Sequence, residues 1–256
     1  ILLGDIHEHI LEIEKTINNR EAFLICDENT SICREKLVNT TLHNIPFLTI
    51  PSGENNKTLD QVSTIWNFLN NHNAKRNSVL FSLGGGVLCD LGGFAAATYK
   101  RGIQFINIPT SLLAMVDASI GGKTGFNFQN LKNNIGTFTQ PEMILCDVHF
   151  LNTLPITELK SGMAEVLKHA IIGDQNMWDY LKSTNFNDLD YKYIVKKSSL
   201  IKEKIIKKDP HEKNQRKVLN FGHTIGHAIE TSLLNEKQPN LHGYAVAKGM
   251  IIESYI

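Results

Sequence analysis

SVLFSLGGGVLCDLGGFAAATY (78–99) reads as a buried strand, a turn of consecutive glycines and the start of a helix. Glycines let the backbone approach a ligand closely, and a helix N-terminus attracts anions such as a pyrophosphate. Working outward, AFLIC (22–26) and PFLTI (46–50) are similar strand signals, each followed by a polar, helix-compatible segment at 29–42 and 57–72. Downstream, IQFINI (103–108) is a further strand, ended by Pro109 and followed by TSLLAMV, which reads as a short helix. This order predicts βαβ units and a parallel sheet, with ligand chemistry at the carboxyl ends of the strands: the turns after Ile50, Leu83 and Ile108.

After about Phe150 strand signals almost vanish, and segments of helical period take over at 156–172, 187–208, 218–234 and 243–255. The expected architecture is an α/β N-terminal domain with a Rossmann-like parallel sheet over 1–150 and an all-α C-terminal domain over 151–256. Between them NFQNLKNNIGTFTQPEM (127–143) reads as a polar loop closing over a cleft.

Composition narrows the class. A length of 256 residues suits one large domain or two smaller ones at roughly 150 per domain, and 42% hydrophobic content is enough for a sizeable core. With 26 basic and 26 acidic side chains the formal charge is +0, which argues against nucleic acid or a membrane as partner. The four cysteines, Cys26, Cys33, Cys89 and Cys146, form no C-x-x-C pair and fit a reducing cytoplasm. No apolar run approaches the roughly 18 residues of a membrane span, and ILLGDIHEHILEI is too charged for a secretory signal. Lacking an initiator Met and ending at MIIESYI, the chain reads as trimmed at both ends.

Three motifs carry chemistry. The glycine turn is not the G-x-G-x-x-G dinucleotide fingerprint, because Cys89 stands at the third Gly. A tight strand-to-helix turn explains it as well, with Asp90 a favourable carboxylate near the start of the helix. GGKTG (121–125) fails the P-loop pattern, since Asp117 occupies the place of the first Gly. Lys123 is left in a flexible glycine setting, either solvated or functional, with Lys132 and Asn133 following. In NFGHTIGHAIE (220–230), His223 and His227 lie four apart on one helix face, which is metal-ligand spacing without the Glu of H-E-x-x-H. Together with His242 in LHGYAV and Glu165 in SGMAEVLKHA, this suits a catalytic Zn²⁺ site; paired histidines that satisfy core polar groups are the competing reading. The basic cluster at 192–217, including Lys196, Lys197, Lys202, Lys204, Lys207, Lys208, Lys213, Arg216 and Lys217, reads as a solvated helix face with one or two anion contacts. His7, His9, His43, His72, His149, His169 and His211 receive no role.

Taken together, SGENNK (52–57), GGGVLCDLGGFAAATYKRG (84–102), PTSLLAMVDASIGGKTGFN (109–127), KNNIGTFTQP (132–141), SGMAEVLKHAII (161–172), DPHEKNQRKVLNFGHTIGHAIE (209–230) and LHGYAVAKGM (241–250) resemble the 3-dehydroquinate synthase family. The resemblance implies NAD⁺ in the N-terminal domain, a divalent metal (Zn²⁺ or Co²⁺) in the cleft, a sugar phosphate substrate and a homodimer. By matching, it implies nucleotide contacts from Asp27, Glu54, Lys57, the turn Gly84, Gly85, Gly86, Val87 and Asp90, then Thr110, Ser111, Lys132 and the FLNT segment Phe150, Leu151, Asn152 and Thr153. It implies metal ligation by Glu165, His223 and His242 and places His227 beside the substrate, where spacing alone would have made it a ligand. Implied substrate contacts are Asp117, Lys123, Asn133, Lys168, Lys202, Arg216, Asn220 and His227, with Arg101 reaching the phosphate of the neighbouring subunit's substrate.

The family's reaction cyclises 3-deoxy-D-arabino-heptulosonate 7-phosphate, whose carboxylate and phosphate call for such Lys and Arg donors. Two departures stand out: Tyr244 where the family commonly has Glu, and Ser111 where it has a second Thr. A further basic substrate contact of the family falls beyond Ile256. The competing readings are another sugar phosphate cyclase, a metal-dependent polyol dehydrogenase, and a non-catalytic NAD- or phosphate-binding relative.

Overall fold

The computed structural model describes residues 1–129, 131–235 and 241–256, which divide into two compact units, Ile1–Asn152 and Thr153–Ile256. In the first unit the elements run β1 (Leu2–Leu3), α1 (Ile10–Ile17), β2 (Ala22–Asp27), β3 (Phe47–Ile50), α2 (Leu59–Asn71), β4 (Val79–Gly84), α3 (Gly86–Thr98), β5 (Gln104–Pro109), β6 (Lys123–Phe128), β7 (Leu131–Phe138) and β8 (Met143–Cys146). Six strands form a parallel sheet in the order β1-β8-β5-β4-β2-β3, with Cys26 opposite Leu83 and Leu83 opposite Ile108. Strands β2 and β4 are buried along their whole length, which is why they read as unbroken apolar runs. Adding each fully buried Leu, Ile or Phe side chain of these runs contributes about 1.5–3 kcal/mol.

Helix α2 is capped by Thr58, whose hydroxyl accepts from Gln61 N at 3.4 Å, and it buries Val62, Ile65, Phe68 and Leu69 against the sheet-and-helix core. Helix α3 lies closer still. A Cβ on Gly92 would fall 2.1 Å from Ser82 Oγ and 2.8 Å from Ile25 Cδ1, so only glycine permits this approach. The tight helix-to-strand contact that the third glycine of a dinucleotide fingerprint provides is made here one turn later.

Three expectations need correction. Residues 29–42 form no α-helix but two short 3₁₀ segments, Ser31–Leu37 and Thr41–Asn44. TSLLAMV leads into a π-helical turn, Ala114–Ala118, which Ser111 Oγ starts by accepting from Ala114 N. The stretch 127–143 is not a loop: apart from Asn130, outside the described residues, it forms much of the antiparallel pair β6–β7 and then β8. Gly125 and Gly136 face each other there, each so close to the opposite strand that a Cβ would meet a carbonyl oxygen at 2.3 or 2.2 Å.

The second unit is helical throughout its described residues: α4 (Ile156–Gly173), α5 (Gln175–Ser183), α6 (Tyr191–Lys208), α7 (His223–Asn235) and α8 (His242–Glu253). Asp174 and Asp190 cap α5 and α6 by accepting from Met177 N and Tyr193 N at 3.0 and 3.1 Å. Helix α6 buries Ile194, Val195, Ile205 and Ile206. Helices α4, α7 and α8 meet through glycines: a Cβ on Gly243 would sit 1.9 Å from Ser161 O, and one on Gly249 2.0 Å from Gly222 O. Gly222 itself has φ +80°, the left-handed region that favours glycine. No helix among the described residues is long and apolar enough to cross a membrane.

Candidate active site

In the helical unit this close packing brings three side chains from three helices together. Glu165 on α4 is fully buried, and its Oε1 lies 3.6 Å from His223 Nε2 on α7 and 3.9 Å from His242 Nε2 on α8. The three ligand atoms lie within 4.8 Å of one another. Tetrahedral ligation at about 2.0–2.2 Å sets neighbouring donors roughly 3.4 Å apart, a separation that the two Glu165–His distances of 3.6 and 3.9 Å approach. The other oxygen, Oε2, is in ion-pair contact with Lys168 Nζ, itself only 1% exposed. Among the described residues neither carboxylate oxygen has a hydrogen-bond partner beyond that ion pair. A desolvated carboxylate facing two imidazoles, without hydrogen bonds to hold its charge, is a donor set that fits a divalent cation.

Around this cluster, His223 Nδ1 contacts Phe221 O at 3.3 Å and His242 Nδ1 contacts Glu230 Oε1 at 3.2 Å. The start of α7 is fixed by Glu253, which accepts from Gly222 N at 2.6 Å and Ile225 N at 3.1 Å. His227 projects outward, its side chain 60% exposed, with its ring centre 5.3 Å from that of His223. Of the lysines on α6, only Lys202 is buried, while Lys196, Lys204, Lys207 and Lys208 form the expected solvated face. Arg216, 2% exposed, donates to Pro210 O at 2.7 Å, and its own N–H is received by Asp209. Burial would raise the Asp209 carboxyl, but backbone donors from Asn214, Lys213 and Arg216 hold it below its ordinary value. Asn220 is exposed and donates to Glu212 Oε1 at 2.8 Å.

In the parallel-sheet unit the predicted nucleotide residues gather at the carboxyl ends of β2, β4 and β5. Gly85 precedes α3, and a Cβ there would meet only Ser111 Oγ at 3.5 Å, leaving the turn open above it. Thr110 N donates to Gly84 O at 3.0 Å, and Val87 and Asp90 lie half-buried in the first turns of α3. Asp27, at the end of β2, accepts from Thr30 N and Thr30 Oγ1 at 2.8 and 2.9 Å.

Lys57 Nζ, on a side chain 3% exposed as a residue, donates to Asp90 Oδ2 and Asn133 Oδ1. Burial pulls this ammonium's pKa down, but the charges of Asp90 and Glu54 outweigh it and hold the group above its ordinary value. Glu54 Oε1 accepts from Asn127 Nδ2 at 2.8 Å, and Asn127 Oδ1 accepts from Asn133 N, so the 52–57 segment and the β6–β7 pair are one hydrogen-bonded structure. Asn133 takes φ +51°, which asparagine tolerates better than most residues.

Lys123 opens β6 opposite Phe138, exposed but on a strand and not in a flexible loop. Lys132 is exposed on β7, Asp117 half-buried in the π-helical turn, and Arg101 exposed at φ +71°. Phe150 and Leu151 are core residues, 0% and 7% exposed, so only their backbone could face a ligand; Asn152 and Thr153 are exposed. Tyr244, in the first turn of α8, is 37% exposed.

Two residues of this region had no role in the sequence reading. Glu230 lies seven residues after His223 on the same helix face, a periodicity visible in NFGHTIGHAIE. Glu253 gave no such signal, because its partners are 31 and 28 residues away.

A parallel-sheet unit followed by a helical unit is the architecture of the sugar phosphate cyclase fold. The chain is similar to ValA, a 2-epi-5-epi-valiolone synthase from Streptomyces hygroscopicus subsp. jinggangensis with NAD⁺ and Zn²⁺ bound (TM-score 0.81, 30% identity, 90% of this chain and 66% of that one). It is also similar to a 2-deoxy-scyllo-inosose synthase complexed with carbaglucose-6-phosphate, NAD⁺ and Co²⁺ (TM-score 0.82, 26% identity, 98% of this chain and 71% of that one). Residues 47–161 match the 3-dehydroquinate synthase N-terminal family and residues 162–256 the 3-dehydroquinate synthase C-terminal family. The 3-dehydroquinate synthase of Parabacteroides distasonis is 40% identical over 261 residues, covering 100% of this chain and 74% of that protein. The chain belongs to the 3-dehydroquinate synthase family. It spans from 57% to 74% of the length of the curated relatives it matches.

Proposed function

We propose that this chain carries the active site of a 3-dehydroquinate synthase, a carbon–oxygen lyase that converts 3-deoxy-D-arabino-heptulosonate 7-phosphate to 3-dehydroquinate and phosphate. The observation that carries the reading is the buried Glu165 carboxylate facing His223 and His242 with no hydrogen bond of its own. When bound, NAD⁺ accepts and later returns the C5 hydride, while Zn²⁺ or Co²⁺ polarises the C5 oxygen and its neighbouring hydroxyl.

The protein's own groups bind, orient and neutralise. Glu165 Oε1 and the Nε2 atoms of His223 and His242 hold the metal. The open turn Gly84–Gly86 with Val87 and Asp90, the Glu54–Lys57 segment, Thr110, Ser111, Lys132, Asp27 and the 150–153 backbone hold the nucleotide in the α/β domain, residues 1–150. Lys168, Lys202 and Arg216, all almost completely buried in the helical domain (151–256), supply fixed positive charge to the substrate's anionic groups. Asn220 and the outward-facing His227 orient the sugar hydroxyls, and Lys123, Asn133 and Asp117 act from the α/β domain. Positioning is the protein's main contribution, with the departing phosphate accepting the proton released in the elimination. Arg101 serves the partner's substrate in a cytoplasmic homodimer.

Phosphate release from the heptulosonate phosphate, followed with and without EDTA and after NAD⁺ removal, tests this reading. Release that needs both cofactors yet accumulates no NADH at 340 nm is the expected result. Net NADH production would indicate a polyol dehydrogenase, and bound NAD⁺ and zinc without release would indicate a different cyclase substrate or a non-catalytic relative. The identities of 40–48% to synthases, against 26–30% to the other cyclases, favour the synthase.

A further inference from the structure

The two metal-site histidines are held differently, and that difference points to a role for Glu230. Each turns Nε2 towards Glu165 and Nδ1 away from it. His223 Nδ1 meets a backbone carbonyl, Phe221 O at 3.3 Å, and His242 Nδ1 meets a carboxylate, Glu230 Oε1 at 3.2 Å. His242 is the first residue of α8, and no side chain caps that helix at Leu241. The next residue, Gly243, secures the backbone to α4 by donating its N–H to Ser161 Oγ at 3.0 Å. Glu230 is 4% exposed, and its other oxygen stands 4.0 Å from His227 Nε2. A carboxylate this deeply buried costs several kcal/mol unless it is compensated, and the histidines it faces provide that compensation.

We infer that Glu230 is a positioning residue for the metal. It accepts the Nδ1 proton of His242, fixing the tautomer that leaves Nε2 with its lone pair towards Glu165 and raising the basicity of that nitrogen. One carboxylate thereby links the last metal ligand to the substrate-side His227. The inference rests on Glu165, His223 and His242 being the ligands.

The test measures Co²⁺ and Zn²⁺ dissociation constants by chelator competition on the metal-stripped chain, with the visible absorption of the Co²⁺ form as a second readout. Wild type, His223→Ala, Glu230→Ala and Glu230→Gln are compared. Glu230→Ala is expected to weaken metal binding about 10–100-fold and to alter the Co²⁺ bands, because loss of such a partner typically has that effect. Glu230→Gln keeps an acceptor for Nδ1–H and is expected to recover most of the affinity. If Glu230→Ala is poorly folded, Glu230→Leu takes its place: an affinity about 10-fold weaker or more with altered Co²⁺ bands, beside a Gln variant closer to wild type, would support the acceptor role, and an affinity within twofold of wild type would overturn it. A folded Glu230→Ala that binds metal within twofold of wild type, with unchanged bands, overturns the inference while leaving the ligand set intact. Binding unaffected in His223→Ala, or no binding in wild type, overturns the ligand set and this inference with it.

Discussion

The glycine turn of the first unit and the histidine cluster of the second both bury charge, and they compensate it in opposite ways. Around the turn, Lys57 is matched by Asp90, Glu54 and Asn133 in a network whose members satisfy each other. At the cluster, Glu165 has an ammonium and two imidazoles for neighbours but no hydrogen bond. The first region is a finished structure whose ligand surface is backbone and loop. In the second, the proposed metal ligands share the buried carboxylate with the Lys168 ammonium, so on the proposed reading its electrostatics and its ligand are the same problem.

The sharpest way to break the contrast is His223→Ala. Removing one of three ligands should abolish stoichiometric zinc, read by elemental analysis, and lower turnover about 10³-fold, a loss of several kcal/mol of transition-state stabilisation. Full zinc content in that variant would mean the cluster is structural. Asp90→Asn should act on the other region through stability, leaving Lys57 buried beside a neutral amide. A loss of about 3–5 kcal/mol in denaturant unfolding is expected, and a loss under about 1 kcal/mol would show that Glu54 and Asn133 suffice.

The pH dependence of that pair follows from its direction. Lys57 is held above its ordinary 10.5, so its contribution is complete below that value and fades as pH rises through the raised one. The stability gap between wild type and Asp90→Asn should therefore be constant across neutral pH and, on the alkaline side, shrink only in strongly alkaline solution. A gap that shrinks towards pH 7 would contradict the assignment.

Lys123→Ala should separate ligand chemistry from architecture. A charged contact to substrate worth about 1.5–3 kcal/mol means kcat/KM falls roughly 10–100-fold, while Tm stays put because the side chain is exposed at the start of β6. Unchanged kinetics would return it to solvent. The smallest effect compares a glycine inside α3 with the one that precedes it. Gly92→Ala forces a Cβ into Ser82 and Ile25 and should cost about 1–3 kcal/mol. Gly85→Ala meets only Ser111 Oγ at 3.5 Å and should leave Tm nearly unchanged while weakening NAD⁺ binding in calorimetry. Equal melting losses would show that the turn, too, is closed by packing.

How far the sequence alone carried depends on which forces shape each element. Strands β2, β4 and β5 were visible because strands covered on both faces are mostly apolar, and the half-exposed edge strand β3 because PFLTI is itself a short apolar run. The β6–β7 pair was not, since its ladder depends on Gly125 facing Gly136 and on Thr124 Oγ1 meeting Thr137 Oγ1 at 2.7 Å, with β7 largely exposed and no apolar alternation to betray it. Helix α5, of nine residues, and the two-residue β1 are short. Segment 29–42 has polar residues compatible with a helix, yet closes into 3₁₀ turns where Asp27 and Thr30 bond to each other.

At the site, spacing alone pointed to His223 with His227. The structure instead brings His242, nineteen residues beyond His223, to Glu165, a pairing that depends on three helices approaching through Gly222, Gly243 and Gly249. Local spacing cannot report such an approach; the resemblance to the family did.

The clasp of Glu253 on the start of α7 also sets a timetable. Gly222 and Ile225 receive their acceptor from a residue 31 and 28 positions later in the chain. At synthesis rates of about 5–20 residues per second, that leaves roughly 2–6 s in which the histidine helix has emerged but its first turn is unanchored. A nascent chain stalled after His242 but before Glu253 should take up metal poorly even though all three proposed ligands have already been made.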